Sequence, residues 1–135
     1  MIAVDTSVLV AILRLEPEVE AFTRCMEEAS AICMSAVSLQ EASMVLAGRQ
    51  ADAEAWSELD SVIQGMEVEI VPHNAELARI AREAFLRFGK GRHPARLNCG
   101  DCASYALAKS LNIPLLFKGA DFAKTDIVPA LAPPA

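Results

Sequence analysis

Met1-Ile2-Ala3-Val4-Asp5-Thr6-Ser7 opens the chain, and how these residues are read decides the fold. Ile2-Ala3-Val4 is an apolar run of the right length for one short strand. Asp5, Thr6 and Ser7 are residue types that accept hydrogen bonds from the free N–H groups of a first helical turn. Residues 8–13 are then uninterruptedly apolar, so the helix expected over 6–15 is a buried one. Pro17 closes it. A strand running straight into a buried helix is the first half of a βα unit.

The same alternation continues outward. Residues 18–29 read as an acidic amphipathic helix with Pro17 at its start, and 31–34 as a second strand. Helices are expected over 38–48, with a glycine stop, and from Asp52 to residue 64. Residues 68–71, bounded by Gly65 and Pro72, suit a strand near the sheet edge. Leu77, Ile80, Ala81, Ala84 and Phe85 repeat with helical spacing across 74–88. Residues 89–94 are a loop, 100–111 a helix of small residues and 114–117 a strand. A turn or short helix over 119–125 and a last strand at 127–128 complete the order, and the Pro-rich 132–135 should fray. Short connections between alternating elements give an α/β fold, a mainly parallel central sheet flanked by helices.

Asp5, Glu41, Asp101 and Asp121 each follow an apolar run: 2–4, 31–34, the approach to Leu97, and 114–117. In a parallel sheet the loops after the strands open on one edge, where ligands bind. Carboxylates gathered there without cations repel one another, so such a cluster holds a metal or shares protons. Each acid also has a local role open to it. Asp5 can cap the first helix, Ser38 to Glu41 fits a capping box, Asn98 with Asp101 offers another, and Asp121 suits a turn.

Composition narrows the alternatives. The 135 residues are 53% apolar, which points to strands buried on both faces or to an apolar surface kept for a partner. The apolar stretch 8–13 is far short of the ~20 residues of a membrane span. With no basic start and Asp5 interrupting the apolar run, no signal peptide is read, and a cytoplasmic protein is expected. Net charge is −6, yet six bases, Arg79, Arg82, Arg87, Lys90, Arg92 and Arg96, fall in one short stretch. A local basic surface on an acidic protein is therefore compatible with a polyanion. Cys99 and Cys102 have C-x-x-C spacing, but zinc wants a second such pair and only His73 and His93 are available. The thiols, Cys25 and Cys33 included, read as small hydrophobes in a reducing compartment. No P-loop, G-x-G-x-x-G or Ser-His-Asp arrangement competes with the acids. A dehalogenase-type phosphotransferase would want an Asp where Ser7 stands.

M-I-A-V-D-T-S at 1–7, S-A-V-S-L-Q-E at 35–41, H-P-A-R-L-N-C-G-D-C-A-S-Y-A-L-A-K at 93–109 and L-L-F-K-G-A-D-F-A-K-T-D-I at 115–127 resemble a PIN-domain protein, more narrowly a VapC-type toxin. The resemblance spans the chain and implies one PIN-like nuclease domain over 1–131, a three-layer sandwich. It implies a metal-dependent endoribonuclease that hydrolyses RNA phosphodiesters through a metal-activated water. The acidic quartet carried over falls on Asp5, Glu41, Asp101 and Asp121, as ligands of Mg²⁺ (or Mn²⁺) and as the catalytic set. Thr6, with Ser7 beside it, matches the small hydroxyl after the first acid. Asp126 competes with Asp121 for the fourth position. Arg92, Arg96, Lys118 and Lys124 are candidates to steer RNA phosphates. A VapB-type antitoxin and a second copy of the chain are the partners implied. The reading from another class stays open: a non-catalytic interaction module whose acids only cap helices.

Overall fold

The computed structural model describes residues 1–48 and 53–132. Its elements are β1 (Ile2–Val4), α1 (Thr6–Leu13), α2 (Val19–Glu28), β2 (Ile32–Ser35), α3 (Ala36–Ala47), α4 (Ala53–Gly65), β3 (Val68–Val71), α5 (Ala75–Phe88), α6 (Cys99–Leu111), β4 (Leu115–Leu116) and a 3-10 turn at Phe122–Lys124. The four strands form one parallel sheet in the order β3-β2-β1-β4.

Side chains alternate across a strand, and here that alternation sorts the core into two halves. Ile2, Val4, Ile32, Met34 and Leu116 pack on one face with Val8, Leu9, Phe22 and Leu59 from the helices α1 to α4. Ala3, Cys33 and Leu115 pack on the other with Ala84, Phe88, Tyr105 and Leu107 from α5 and α6. Helices therefore cover both faces, and β1 is buried at every residue. Small residues, Ala3 in the sheet and Ala103, Ala106 and Ala108 in α6, let that helix lie close. Cys33 and Cys102 are buried in this layer, where desolvation pushes both thiols up to about 11. Cys99 is exposed and all four cysteines are free. Among the described residues no helix is long and apolar enough to cross a membrane.

Several expectations move in register. β2 runs one residue further, to Ser35, whose hydroxyl caps α3 by accepting from Val37 N–H at 3.1 Å. The capping box expected from Ser38 to Glu41 is therefore not formed. Ser38 is the third helical residue, and Glu41 lies in the second turn, beyond any cap position. The approach to Leu97 is not a strand but a single bridge to Gly89. Pro94 and the left-handed Arg96 (φ 56°) interrupt the extended course. Nor is 127–128 a strand, since only Pro129 bridges to Leu115 and proline has no N–H to continue the ladder. α1 stops at Leu13 because Leu15 turns left-handed at φ 52°. The helix start expected at Asp52, and residues 133–135 of the tail, lie outside the described residues.

Candidate active site

Asp5 stands where β1 becomes α1 and is only 4% exposed. Its N–H donates to Leu116 O at 3.0 Å, which pins the junction to the end of β4. Oδ2 accepts from Ser7 N–H at 3.1 Å and from the Ser7 hydroxyl at 2.7 Å. Oδ1 accepts from the Ser104 hydroxyl at 2.6 Å. Ser7 Oγ in turn accepts from Lys118 N–H at 3.0 Å. Thr6 takes a different role: its hydroxyl donates to Ser38 O at 3.1 Å and ties α1 to α3.

Asp101 enters from the first turn of α6 through a reciprocal cap. Its N–H donates to Asn98 Oδ1 at 2.9 Å, and Asn98 N–H donates to Asp101 Oδ2 at 3.0 Å. The Asp101 carboxyl is pushed up to about 6, first by burial; the Asn98 N–H opposes this, and the charges of Asp5, Glu41 and Asp121 add to it. Asp5 at the start of α1, Glu41 from α3 and Asp121 from the segment after β4 thus all act on Asp101 at one edge of the sheet. Glu41 reaches that edge from α3, with its carboxylate against Gly100. A Cβ on Gly100 would lie 2.5 Å from Oε2 and 2.6 Å from Oε1. Absence of a side chain there is what lets the acid of α3 touch the first turn of α6.

Asp121 is exposed just ahead of the 3-10 turn and makes no capping bond with its side chain. Asp126 is engaged elsewhere: the Tyr105 hydroxyl donates to it at 2.7 Å, and Lys109 and Arg87 pair with it at 3.0 and 3.7 Å. Partial burial raises its pKa, but Tyr105, Lys109 and Arg87 outweigh that and hold it below the usual carboxylate range. Of the candidate phosphate contacts, Arg92 lies over the Phe85 ring at 5.8 Å, and Arg96 and Lys124 are exposed. The Lys118 ammonium is already paired with Glu16 at 2.9 Å and Glu18 at 3.1 Å.

The donor set is all oxygen, which suits a hard divalent cation. Among the described residues no three His, Cys, Asp or Glu side chains close around an ion as they stand. A Mg²⁺-type ion that retains several waters needs only one or two direct carboxylates, and the Glu41 carboxylate held in the space beside Gly100 is such a donor. A groove of about 530 Å³ flanks it, between Gln40, Met44 and Cys99. Another cavity, around Ala31, Ile32 and Glu67, lies at the opposite end of the strands, away from the acids.

Of two buried hydroxyls here, Ser38 was expected only as a helix cap and Ser104 carried no sign in the sequence. Ser104 is the polar residue of an otherwise small, apolar helix face, three positions after Asp101, and that spacing puts both on one side of α6. Gly100 was equally silent, since a glycine in a first helical turn carries no sign of what approaches it.

A parallel α/β sandwich with carboxylates gathered beyond its strand ends defines a small acidic-cleft domain. The chain belongs to the PIN-domain family, whose family model matches residues 2–128. It is 43% identical over 130 residues to ribonuclease VapC30 of Mycobacterium tuberculosis, covering 96% of this chain and 98% of that one. Among solved structures it is similar to M. tuberculosis VapC20, a Sarcin-Ricin loop cleaving toxin, with a TM-score of 0.78 and 21% identity over 98% of this chain and 100% of the other. It is also similar to a chain of a toxin–antitoxin complex from Klebsiella pneumoniae, with a TM-score of 0.68 and 15% identity over 93% of each.

Proposed function

We propose that this chain is a metal-dependent endoribonuclease and the toxin of a VapB-type antitoxin pair. The observation that carries the proposal is the gathering of acids about Asp101, whose carboxyl is pushed up to about 6 first by burial and further by the charges of Asp5, Glu41 and Asp121. Similarity to the VapC ribonucleases over nearly the whole chain supports the reaction class. Asp5, Glu41 and Asp101 hold Mg²⁺ or Mn²⁺, and Asp121 completes the set in preference to Asp126, whose carboxylate is committed to Tyr105, Lys109 and Arg87. When bound, the cation activates a water toward a phosphodiester and offsets charge on the leaving oxygen.

The residues themselves have separable tasks. Ser7, Ser104 and the Ser7 N–H fix the orientation of the buried Asp5 carboxylate by donating to its oxygens. Asp101, pushed up by burial and by the other acids, would be a ligand whose charge a cation offsets. Arg92, Arg96 and Lys124 are exposed cations assigned to steer the phosphates of single-stranded or looped RNA. Lys118 acts through its backbone N–H on Ser7. Exposed large apolar side chains, Leu15, Met44, Trp56 and Leu86, provide surface for the antitoxin and for a second copy of the chain.

The rival reading has the acids acting only as helix caps. Asp5 and Asp101 do cap, but Glu41 sits a full turn past the cap of α3, and Asp121 makes no capping bond. Purified protein freed of its partner should cleave a total-RNA pool with Mg²⁺ or Mn²⁺. Chelator and Asp101→Asn should each abolish the cleavage. If the wild-type protein leaves the pool intact with either metal, the enzyme reading is wrong.

A further inference from the structure

The hydroxyls behind Asp5 form a chain with a defined direction. Ser104 Oγ donates its one proton to Asp5 Oδ1 at 2.6 Å. Ser104 Oγ also lies 3.1 Å from Ser38 Oγ, and with its own proton on Asp5 it acts there as acceptor. Ser38 is therefore the donor. Both serines are buried, at 0% and 1% exposure, one on α3 and one on α6. No bulk water is at hand to replace either bond.

Counting lone pairs shows what this does to Asp5. A carboxylate offers about four acceptor sites, two on each oxygen. Ser7 N–H and Ser7 Oγ–H fill both sites of Oδ2. Ser104 fills one of Oδ1. One site remains, on Oδ1, and it is the oxygen that α6 touches. We propose that Ser104, itself oriented by Ser38, is a positioning residue that makes Oδ1 the single metal-facing oxygen of Asp5. The proposal rests on the metal-dependent reading above and goes beyond it, assigning two residues that contact neither cation nor RNA.

Without the Ser104 hydroxyl, Oδ1 has two open sites and the carboxylate is anchored on one side only. Outer partners of metal ligands usually set affinity by about 10- to 100-fold when removed. Ser104→Ala should therefore raise the Mn²⁺ concentration for half-maximal thermal stabilisation about 10-fold. At saturating Mn²⁺ the cleavage rate should return to within about 3-fold of wild type, with KM for RNA unchanged, because no ligand has been lost. Ser38→Ala leaves the bond to Asp5 in place and should shift the midpoint only about 2- to 3-fold. The Ser38→Ala/Ser104→Ala protein should match Ser104→Ala alone, since Ser38 acts through Ser104.

The experiment is a Mn²⁺ titration followed by thermal unfolding, with circular dichroism confirming that each variant is folded. A purely structural role would lower the unfolding temperature without moving the Mn²⁺ midpoint, and that result overturns the proposal. So would a Ser38→Ala shift as large as that of Ser104→Ala. A wild-type protein that shows no Mn²⁺ response overturns the metal reading itself, which separates the two failures.

Discussion

Replacing Asp101 by Asn should make the metal-free protein more stable while removing its activity. The Asp101 carboxyl is pushed from 3.8 to about 6 in the folded chain, first by burial and then by Asp5, Glu41 and Asp121. An acid whose folded pKa is raised binds more protons folded than unfolded between those two values. Stability of the wild type in chelator should accordingly fall as pH rises from about 4 to about 6 and level off above. A pKa unit corresponds to about 1.4 kcal/mol. Because Asp101 is only partly buried, solvent screening reduces the roughly two-unit span to about 1–2 kcal/mol. Asn removes the charge and still accepts from Asn98 N–H, so the cap survives. Asp101→Asn should therefore unfold about 3–8 °C higher than wild type at pH 7.5, and no higher at pH 4. Mn²⁺ should reverse the order, since a ligand at 100 times its Kd stabilises by roughly 3 kcal/mol and the variant has lost a ligand. Scanning fluorimetry across pH, in chelator and then in Mn²⁺, reads all of this. A variant that is neutral or less stable at pH 7.5 in chelator, or an offset that does not change with pH, refutes the repulsion argument.

Four further outcomes test particular contacts. Gly100→Ala should leave stability within about 1 kcal/mol, because the obstructed atoms are the free end of Glu41 and alanine favours a helix, yet cut cleavage about 10- to 100-fold by displacing that carboxylate. Asp5→Asn should cost about 1–3 kcal/mol in urea unfolding, because the amide nitrogen turns a donor toward donors already supplied by Ser7 and Ser104. Asp126→Asn should lower stability by about 1 kcal/mol or less and leave the cleavage rate within about 3-fold of wild type, whereas Asp121→Asn should lower the rate at least 10-fold. Leu9→Ala, at a side chain with 0% exposure between α1 and the sheet, should cost about 2–5 kcal/mol without moving the Mn²⁺ midpoint.

Elements marked by strong local signals were legible in the sequence. The Ile2–Val4 run with its caps, the periodic face of α5 and the Asn98–Asp101 cap all lie where the pattern puts them. Errors fell where two local signals competed. Ser35 and Ser38 can each cap a helix, and the winner is decided by how far β2 continues, a tertiary matter. The approach to Leu97 is broken by Pro94 and the left-handed Arg96, and the run at 127–128 ends at Pro129, so each keeps a single bridge. The acids were visible as residues, but the partition between Asp121 and Asp126 was not. It depends on Tyr105, Arg87 and Lys109, three side chains from two other helices that claim Asp126.

Capping and metal binding are not rival explanations for this edge. α1 leads away from the end of parallel β1 and α6 runs back into the start of parallel β4, so the positive N-termini of both face the edge where Asp5 and Asp101 stand. Those helix ends stabilise negative charge, which favours a carboxylate at each of the two positions. Glu41 and Asp121 receive no such support, one from the second turn of a helix and the other from an uncapped turn. Their charge adds repulsion at Asp101 without adding a cap. A fold selected only for stability would gain by losing them, so their placement is the part of the site that the proposed cation would explain and helix capping does not.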